Sequence, residues 1–152
     1  MKIELKKIDQ SNYLDCIELR ISKDQEGFVV SNLFSLVQAA YEPDLYPLGV
    51  YCDGKMVGFF LYDYDKELNA WSMSRFMIDK KYQHQGIGRK ALESFLEFFK
   101  VQYGDVDLYT SAEVENKIAI ALYEAFGFQK KDIFEYDAGG NHYREFRMVR
   151  KP

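Results

Sequence analysis

Cysteine and proline are scarce: the chain has 152 residues with two Cys and three Pro. The cysteines, Cys16 and Cys52, have no patterned spacing. They give neither a disulfide framework nor a zinc site, and they fit a reducing cytosol. Long apolar runs are missing too. The longest, Val57–Tyr62, falls far short of the roughly 20 residues that cross a bilayer. MKIELKKIDQ has no apolar run after its charges, so no signal peptide is expected and a cytoplasmic location follows. There is no Pro/Gly/Ser linker, repeat or low-complexity tract, and residues 1–152 read as a single domain with one core. With two His, and His142 lacking any Cys or acidic ligand spacing, no metal is expected. Net charge −4 argues against nucleic acid as a partner and is compatible with a cationic small molecule.

Aromatic residues, by contrast, are abundant: 12 Tyr, 12 Phe and one Trp, which read chiefly as core. Met1–Ile8 alternates as a strand. Ser11 is positioned to cap a helix carrying Leu14, Ile17 and Ile21. Ser31 is positioned to cap a second with Leu33, Leu36, Val37 and Ala40 on its apolar face. Leu48–Cys52 and Lys55–Tyr62 flank Asp53-Gly54, a two-residue hairpin signal. A charged loop, Asp63–Glu67, precedes the strand Trp71–Ile78. Gly86 and Gly88 open a helix with a Leu92, Phe95, Leu96, Phe99 stripe. Asp105–Ser111 reads as a short strand. Asn116–Phe126 reads as a helix with Ala119, Leu122, Tyr123 and Phe126 on one side, stopped by Gly127. Phe128–Tyr136 and His142–Arg150 form a hairpin around Gly139-Gly140. The order β-α-α-β-β-β-α-β-α-β-β predicts an α/β fold with a mixed sheet covered by helices.

The sharpest local feature is Gln83-His84-Gln85-Gly86-Ile87-Gly88-Arg89. Small residues before a helix admit a ligand close to the backbone. The first N–H groups of that helix point outward and, with the helix dipole, favour a phosphate. Lys80, Lys81, Arg89 and Lys90 add positive charge. The glycines alone also suit an ordinary turn. Gly86-x-Gly88-x-x-Ala91, with Asp107 about 20 residues on, satisfies the dinucleotide pattern as well. Its context does not: Asp79–Gln85 separate the strand from the first glycine, and an antiparallel hairpin comes before it.

A second constellation lies downstream. Asn116 and Tyr123 share a helix face, about 10 Å apart along the axis. A phenol with a reference pKa near 10 is protonated at neutral pH and suits a general acid towards a thiolate. An isolated tyrosine here also reads as a core residue beside Phe126.

Together these segments resemble the GNAT superfamily of acyl-CoA-dependent N-acetyltransferases. Gln83-x-x-Gly86-x-Gly88 is similar to its pyrophosphate loop. Asn116-x-x-Ala119-x-x-x-Tyr123-x-x-x-Gly127-Phe128 is similar to its second CoA-contacting segment. The resemblance implies acetyl-CoA as co-substrate, with Gln83, His84, Gln85, Gly86, Ile87, Gly88 and Arg89 around the pyrophosphate. It implies that Phe76, Met77 and Ile78 pair their backbone with the pantetheine arm, in the opening where their strand splays from the next. Asn116 would contact the cofactor, and Tyr123 would protonate the leaving sulfur.

The run Trp71-x-x-x-Arg75-Phe76-x-Ile78-Asp79-x-x-Tyr82-Gln83 also resembles bacterial spermine/spermidine acetyltransferases. That implies a primary amine on a polyamine as acceptor, and homodimers as the expected assembly. Some polyamine acetyltransferases carry an acid where Ser74 stands. Glu26, Ser74 and Glu113 are the candidate acceptor residues, with Glu42 and Asp44 as further acids. Transfer to an aminoglycoside-like amine or a peptide N-terminus, and a non-catalytic acyl-CoA-binding module, remain alternatives.

Overall fold

The computed structural model describes residues 1–152. The elements are β1 (Ile3–Lys7), α1 (Tyr13–Glu18), α2 (Asn32–Tyr41), β2 (Leu45–Cys52), β3 (Lys55–Asp65), β4 (Ala70–Ile78), α3 (Ile87–Tyr103), β5 (Leu108–Glu113), α4 (Lys117–Ala125), β6 (Phe128–Ala138) and β7 (Asn141–Arg150). Single 3₁₀ turns lie at Lys23–Gln25 and Lys80–Tyr82. The strands form one seven-stranded sheet in the order β1-β2-β3-β4-β5-β7-β6. All pairs are antiparallel except β4 with β5. No helix is long and apolar enough to cross a membrane.

Helices cover both faces. On one face, Phe95 and Phe99 of α3 and Ile120 and Tyr123 of α4 join Phe60, Tyr62, Met73 and Met148 in the main core. Phe60 stacks on Phe76 and Phe95, with ring centroids 4.2 and 4.7 Å away. On the other, α1 and α2 cover Cys16, Met56, Phe59, Leu61 and Met77. Both cysteines are free thiols.

The tight turns form where their residues predict them. Asp53-Gly54 and Gly139-Gly140 all have positive φ, as a two-residue hairpin requires. Ser31 caps α2 by accepting from Phe34 N–H at 3.1 Å.

Two helix expectations are corrected. Ser11 does not cap α1; its hydroxyl is bound by Asp9, Asn12 takes the cap position, and the helix ends before Ile21. The apolar face expected on α2 is also wrong, since Leu33 and Val37 are half exposed while Asn32 and Ser35 are buried. Asn32 donates to the Cys16 carbonyl and Ser35 accepts from Arg75, so polar bonds orient this helix. Three boundaries also move. The charged loop is shorter because β3 runs on to Asp65, paired with Ala70. β5 begins at Leu108 and ends at Glu113. Asn116 lies outside α4, as its cap.

The feature that makes a site is a fork in the sheet. β4 and β5 pair only at Trp71–Leu108, Ser72–Tyr109 and Met73–Thr110, although both continue beyond. Opposite β3, Leu61 faces Arg75 and Tyr62 faces Met73, so Ser74 is an extra bulged residue at the fork. A bulge bends its strand and increases its twist. The Thr110 hydroxyl donates to the Met73 carbonyl at 2.8 Å and closes the last rung.

Close packing holds β4 on its bent course. A Cβ at Gly58 would lie 2.6 Å from both the Met77 carbonyl oxygen and Ile78 Cδ1. We therefore expect Gly58→Ala to push β4 outward and cost about 1–3 kcal/mol, measured by urea unfolding; an unchanged midpoint would mean that β4 yields freely.

Candidate functional site

The loop after β4 turns through His84 and Gly86, whose φ values are 63° and 80°, into the start of α3. Gly86 is the N-cap and provides no side-chain cap, so the first α3 amides are not capped internally. Gln83 braces this loop: its amide donates to the Ile78 carbonyl and to Gln25, both at 2.9 Å. Its side chain is thus engaged by protein, and the expected ligand contact falls to the backbone and its neighbours. Arg89 lies 5.3 Å over the Phe126 ring. Gln85 donates to the Lys81 carbonyl.

From this loop a groove of about 190 Å³ runs between the parted strands, lined by Phe76, Met77, Ile78, His84, Gly88, Asn116 and Tyr123 among others. Past Met73, the β5-side backbone edge of β4 has no strand partner. Asn116 caps α4 by accepting from Ala119 N–H at 3.2 Å, which fixes its amide at the groove. Tyr123 is buried, its ring beside Phe128 and its hydroxyl by Thr110 at the fork. Burial pushes its phenol well above the usual range and keeps it protonated.

The groove narrows to a throat of about 40 Å³ that shares Phe76, Asn116 and Tyr123 with it. The throat in turn shares Ser74, Arg75, Ser111 and Tyr136 with a cavity of about 180 Å³ on the α2 side of the sheet. Ser74, expected near the acceptor, thus stands at the junction. Glu26 lines an adjoining cavity under α1 and α2 that shares Ile21, Val29 and Met77 with the groove. The Glu113 carboxylate accepts from Arg144 N–H at 3.1 Å and does not line the junction.

Three further polar side chains converge here. Asp63 of β3 accepts a short hydrogen bond from Ser74. Its pKa is raised to about 6, chiefly by burial, with Ser74 lowering it and Asp65 raising it. Arg75 donates to Ser35 at 3.0 Å and Gln38 at 2.7 Å. Glu145 of β7, 4% exposed, accepts from Ser111 at 2.6 Å and from Tyr136 at 2.9 Å. No group of three or more His, Cys, Asp or Glu is arranged to hold a metal ion.

The residues present fit an acyl-CoA. Uncapped amides at the start of α3, with Arg89 and Lys90 in its first turn, suit a pyrophosphate at one end. An apolar groove beside an unpaired strand edge suits an amide-bearing arm. A buried, protonated phenol stands at the far end.

Known proteins agree. The Acetyltransferase (GNAT) family profile matches residues 13–128. The spermine/spermidine N(1)-acetyltransferase of Bacillus subtilis (strain 168) is 32% identical over 136 residues, covering 85% of this chain and 89% of that protein. The [ribosomal protein bS18]-alanine N-acetyltransferase of Escherichia coli (strain K12) is 32% identical over 81 residues, 53% of each chain. The PaiA N-acetyltransferase of Thermoplasma acidophilum, solved with coenzyme A, has a TM-score of 0.67 at 20% identity, covering 100% of both chains.

Asp63 carries a measurable electrostatic cost. Its folded pKa of about 6 lies above its ordinary value, so the fold prefers it protonated. Ionisation therefore costs stability that is fully felt above about pH 6 and absent below about pH 4. Asp63→Asn is expected to raise stability at pH 7.5 by about 3 kcal/mol at most, with the gain vanishing at pH 4, in paired thermal unfolding curves.

Proposed function

The chain belongs to the Acetyltransferase (GNAT) family and is an acetyl-CoA-dependent N-acetyltransferase, and on that premise we propose that its acceptor is a primary amine of a polyamine such as spermidine or spermine. The observation that carries this reading is Asp63. Ser74 lacks the acid that some polyamine acetyltransferases have at its position, and the Asp63 carboxylate reaches Ser74 from the neighbouring strand. A carboxylate there favours a bound ammonium over a neutral amine. The Bacillus relative's name points the same way.

In this reading, the His84–Arg89 backbone with Lys80, Lys81 and Lys90 holds the pyrophosphate. Gly88 admits the ligand closely, since even a Cβ there would meet nothing nearer than Ile78 at 3.8 Å. Backbone groups of Phe76, Met77 and Ile78 hold the pantetheine arm, and the free amide hydrogens of Asn116 orient it. Acetyl-CoA supplies the activated acyl group. The throat brings amine and thioester together and excludes water. Tyr123 gives its proton to the departing thiolate, and its raised pKa keeps that proton in place until charge develops on sulfur.

Arg75 favours a second reading. It is half-buried, lines both throat and cavity, and has no carboxylate within 4.0 Å. A guanidinium so placed suits a carbonyl- or carboxylate-bearing acceptor, such as a peptide with a free α-amine. The bS18-alanine relative acts, by its name, on such an end.

Thiol release from acetyl-CoA across a panel of polyamines, aminoglycosides and peptides separates the two. Spermidine or spermine is expected to give the highest kcat/KM, and for these Asp63→Asn to raise KM about tenfold with kcat nearly kept. Turnover of peptides with none of any polyamine would establish the second reading instead. With the accepted amine, Tyr123→Phe should lower kcat by about 10²–10⁴-fold while calorimetric acetyl-CoA affinity holds. A loss in KM alone would make Tyr123 a binding residue.

A further inference from the structure

A buried carboxylate with no cationic partner calls for a reason, because an isolated charge taken out of water is costly unless something compensates it. Glu145 is such a group. It is 4% exposed, lines the throat, and forms no ion pair with any Lys, Arg or His within 4.0 Å. Its hydrogen bonds come from two neutral hydroxyls, one to each oxygen. A carboxylate has about four acceptor positions, so capacity remains for a donor inside the cavity. Across that cavity stands Tyr123, the proton donor to sulfur. Acid and base thus flank the same 40 Å³ space, one on α4 and one on β7.

We propose that Glu145 is the general base that takes a proton from the acceptor ammonium in the throat, with Ser111 and Tyr136 as its positioning residues. This rests on the N-acetyltransferase reading above and deepens it. An alkyl ammonium has a reference pKa near 10.4, so at neutral pH the nitrogen arrives protonated and cannot attack. Glu145 removes one proton. The freed lone pair bonds to the thioester carbonyl carbon, and the carbon–sulfur bond breaks with its electron pair going to sulfur. Tyr123 protonates that sulfur, and the second nitrogen proton replaces the one Tyr123 gave. The balance is one amide, one thiol and one proton released from Glu145.

The surroundings tune this carboxyl from every side. Burial and Glu113 of β5 raise its pKa, while the Ser111 and Tyr136 hydroxyls and, more distantly, Arg75 of β4 lower it. Tyr123 of α4, its phenol pushed well up by burial, is a neutral neighbour in the working pH range. The net direction is upward, which makes Glu145 a stronger base than an exposed glutamate.

The test is the pH profile of kcat at saturating amine and acetyl-CoA, run with whichever amine the wild type turns over. The wild-type kcat should fall on the acid side as Glu145 protonates. Glu145→Gln keeps shape and one acceptor oxygen. It should lose about 10²-fold or more in kcat and lose that acid limb, rising instead with the free-amine fraction. Its acetyl-CoA affinity and melting temperature should stay near wild type. Tyr136→Phe removes a donor to the ionised form, so its limb should move to higher pH with the alkaline plateau retained. This shift does not depend on Glu145→Gln folding. Retention of kcat and limb in Glu145→Gln, or a loss confined to KM, overturns the assignment. A limb unmoved in Tyr136→Phe counts against it too. If only peptides are turned over, the polyamine reading falls while the base is still tested on the peptide. A wild type that turns over no amine overturns both.

Discussion

The site depends on one interruption: the parallel pairing of β4 and β5 lasts three residues and then stops. Backbone donors and acceptors in a sheet are normally satisfied by the next strand. Past Met73 they lack that partner, and the structure does not close over them. The last rung is secured by the Thr110 hydroxyl on the Met73 carbonyl, and the bulge at Ser74 turns β4 away directly afterwards. Gln83 satisfies one carbonyl, that of Ile78. The remaining edge is a slot for an extended ligand that offers amides of its own. Tyr123 stands beside Thr110 at the base of that slot. In the proposed mechanism, acid, arm and strand edge are all positioned by that rung.

The fork also separates two electrostatic environments. On the α3 side, uncapped amides with Arg89 and Lys90 in the first helical turn favour an anion. On the α2 side, Asp63 and Glu145 hold carboxyl groups whose ionised forms are disfavoured by burial. Such groups cost stability when charged, and a sequence optimised for the fold alone would replace them. In the polyamine reading, a cationic acceptor would relieve that cost on binding, so the same desolvation that weakens the free protein would strengthen the attraction for an ammonium. The narrow throat lies between the two environments and, in the proposed mechanism, is where nucleophile and thioester meet.

What the sequence disclosed was whatever depends on near neighbours in the chain. The two glycine-bearing hairpins, the Gly86 cap, the Leu92–Phe99 stripe and the α4 stop at Gly127 are local conformational demands. Asn116 and Tyr123 both line the groove, Tyr123 from within α4 and Asn116 as its cap, close to what their helical spacing predicts. Glu145 was not. It sits in an alternating terminal strand, and its meaning comes from Ser111 on β5 and Tyr136 on β6, set by register alone. Asp63 looked like the start of a charged loop because nothing local shows that β3 continues to Asp65. The α2 face was misjudged for a related reason: Asn32 and Ser35 are buried by polar partners on α1 and β4, which hydrophobic periodicity cannot see.

Ser74 shows how the two kinds of information combine. By itself, a serine in place of an acid removes a charge. The hairpin register restores it, because Asp63 pairs with Ser72, and the side chain of Ser74 turns to the same face. Ordinary alternation puts Ser72 and Ser74 on that face, and the bulge then returns Arg75 to it as well, where it reaches Ser35 and Gln38 of α2. The irregularity thus stands where the fork opens and gathers a guanidinium and a neighbouring carboxylate on one side. A serine also leaves Asp63 a hydroxyl donor, which partly offsets the burial that pushes its pKa up. The charge is thereby held on a rung of the sheet itself, where twist and packing fix its distance to the throat more firmly than a side chain on a loop would.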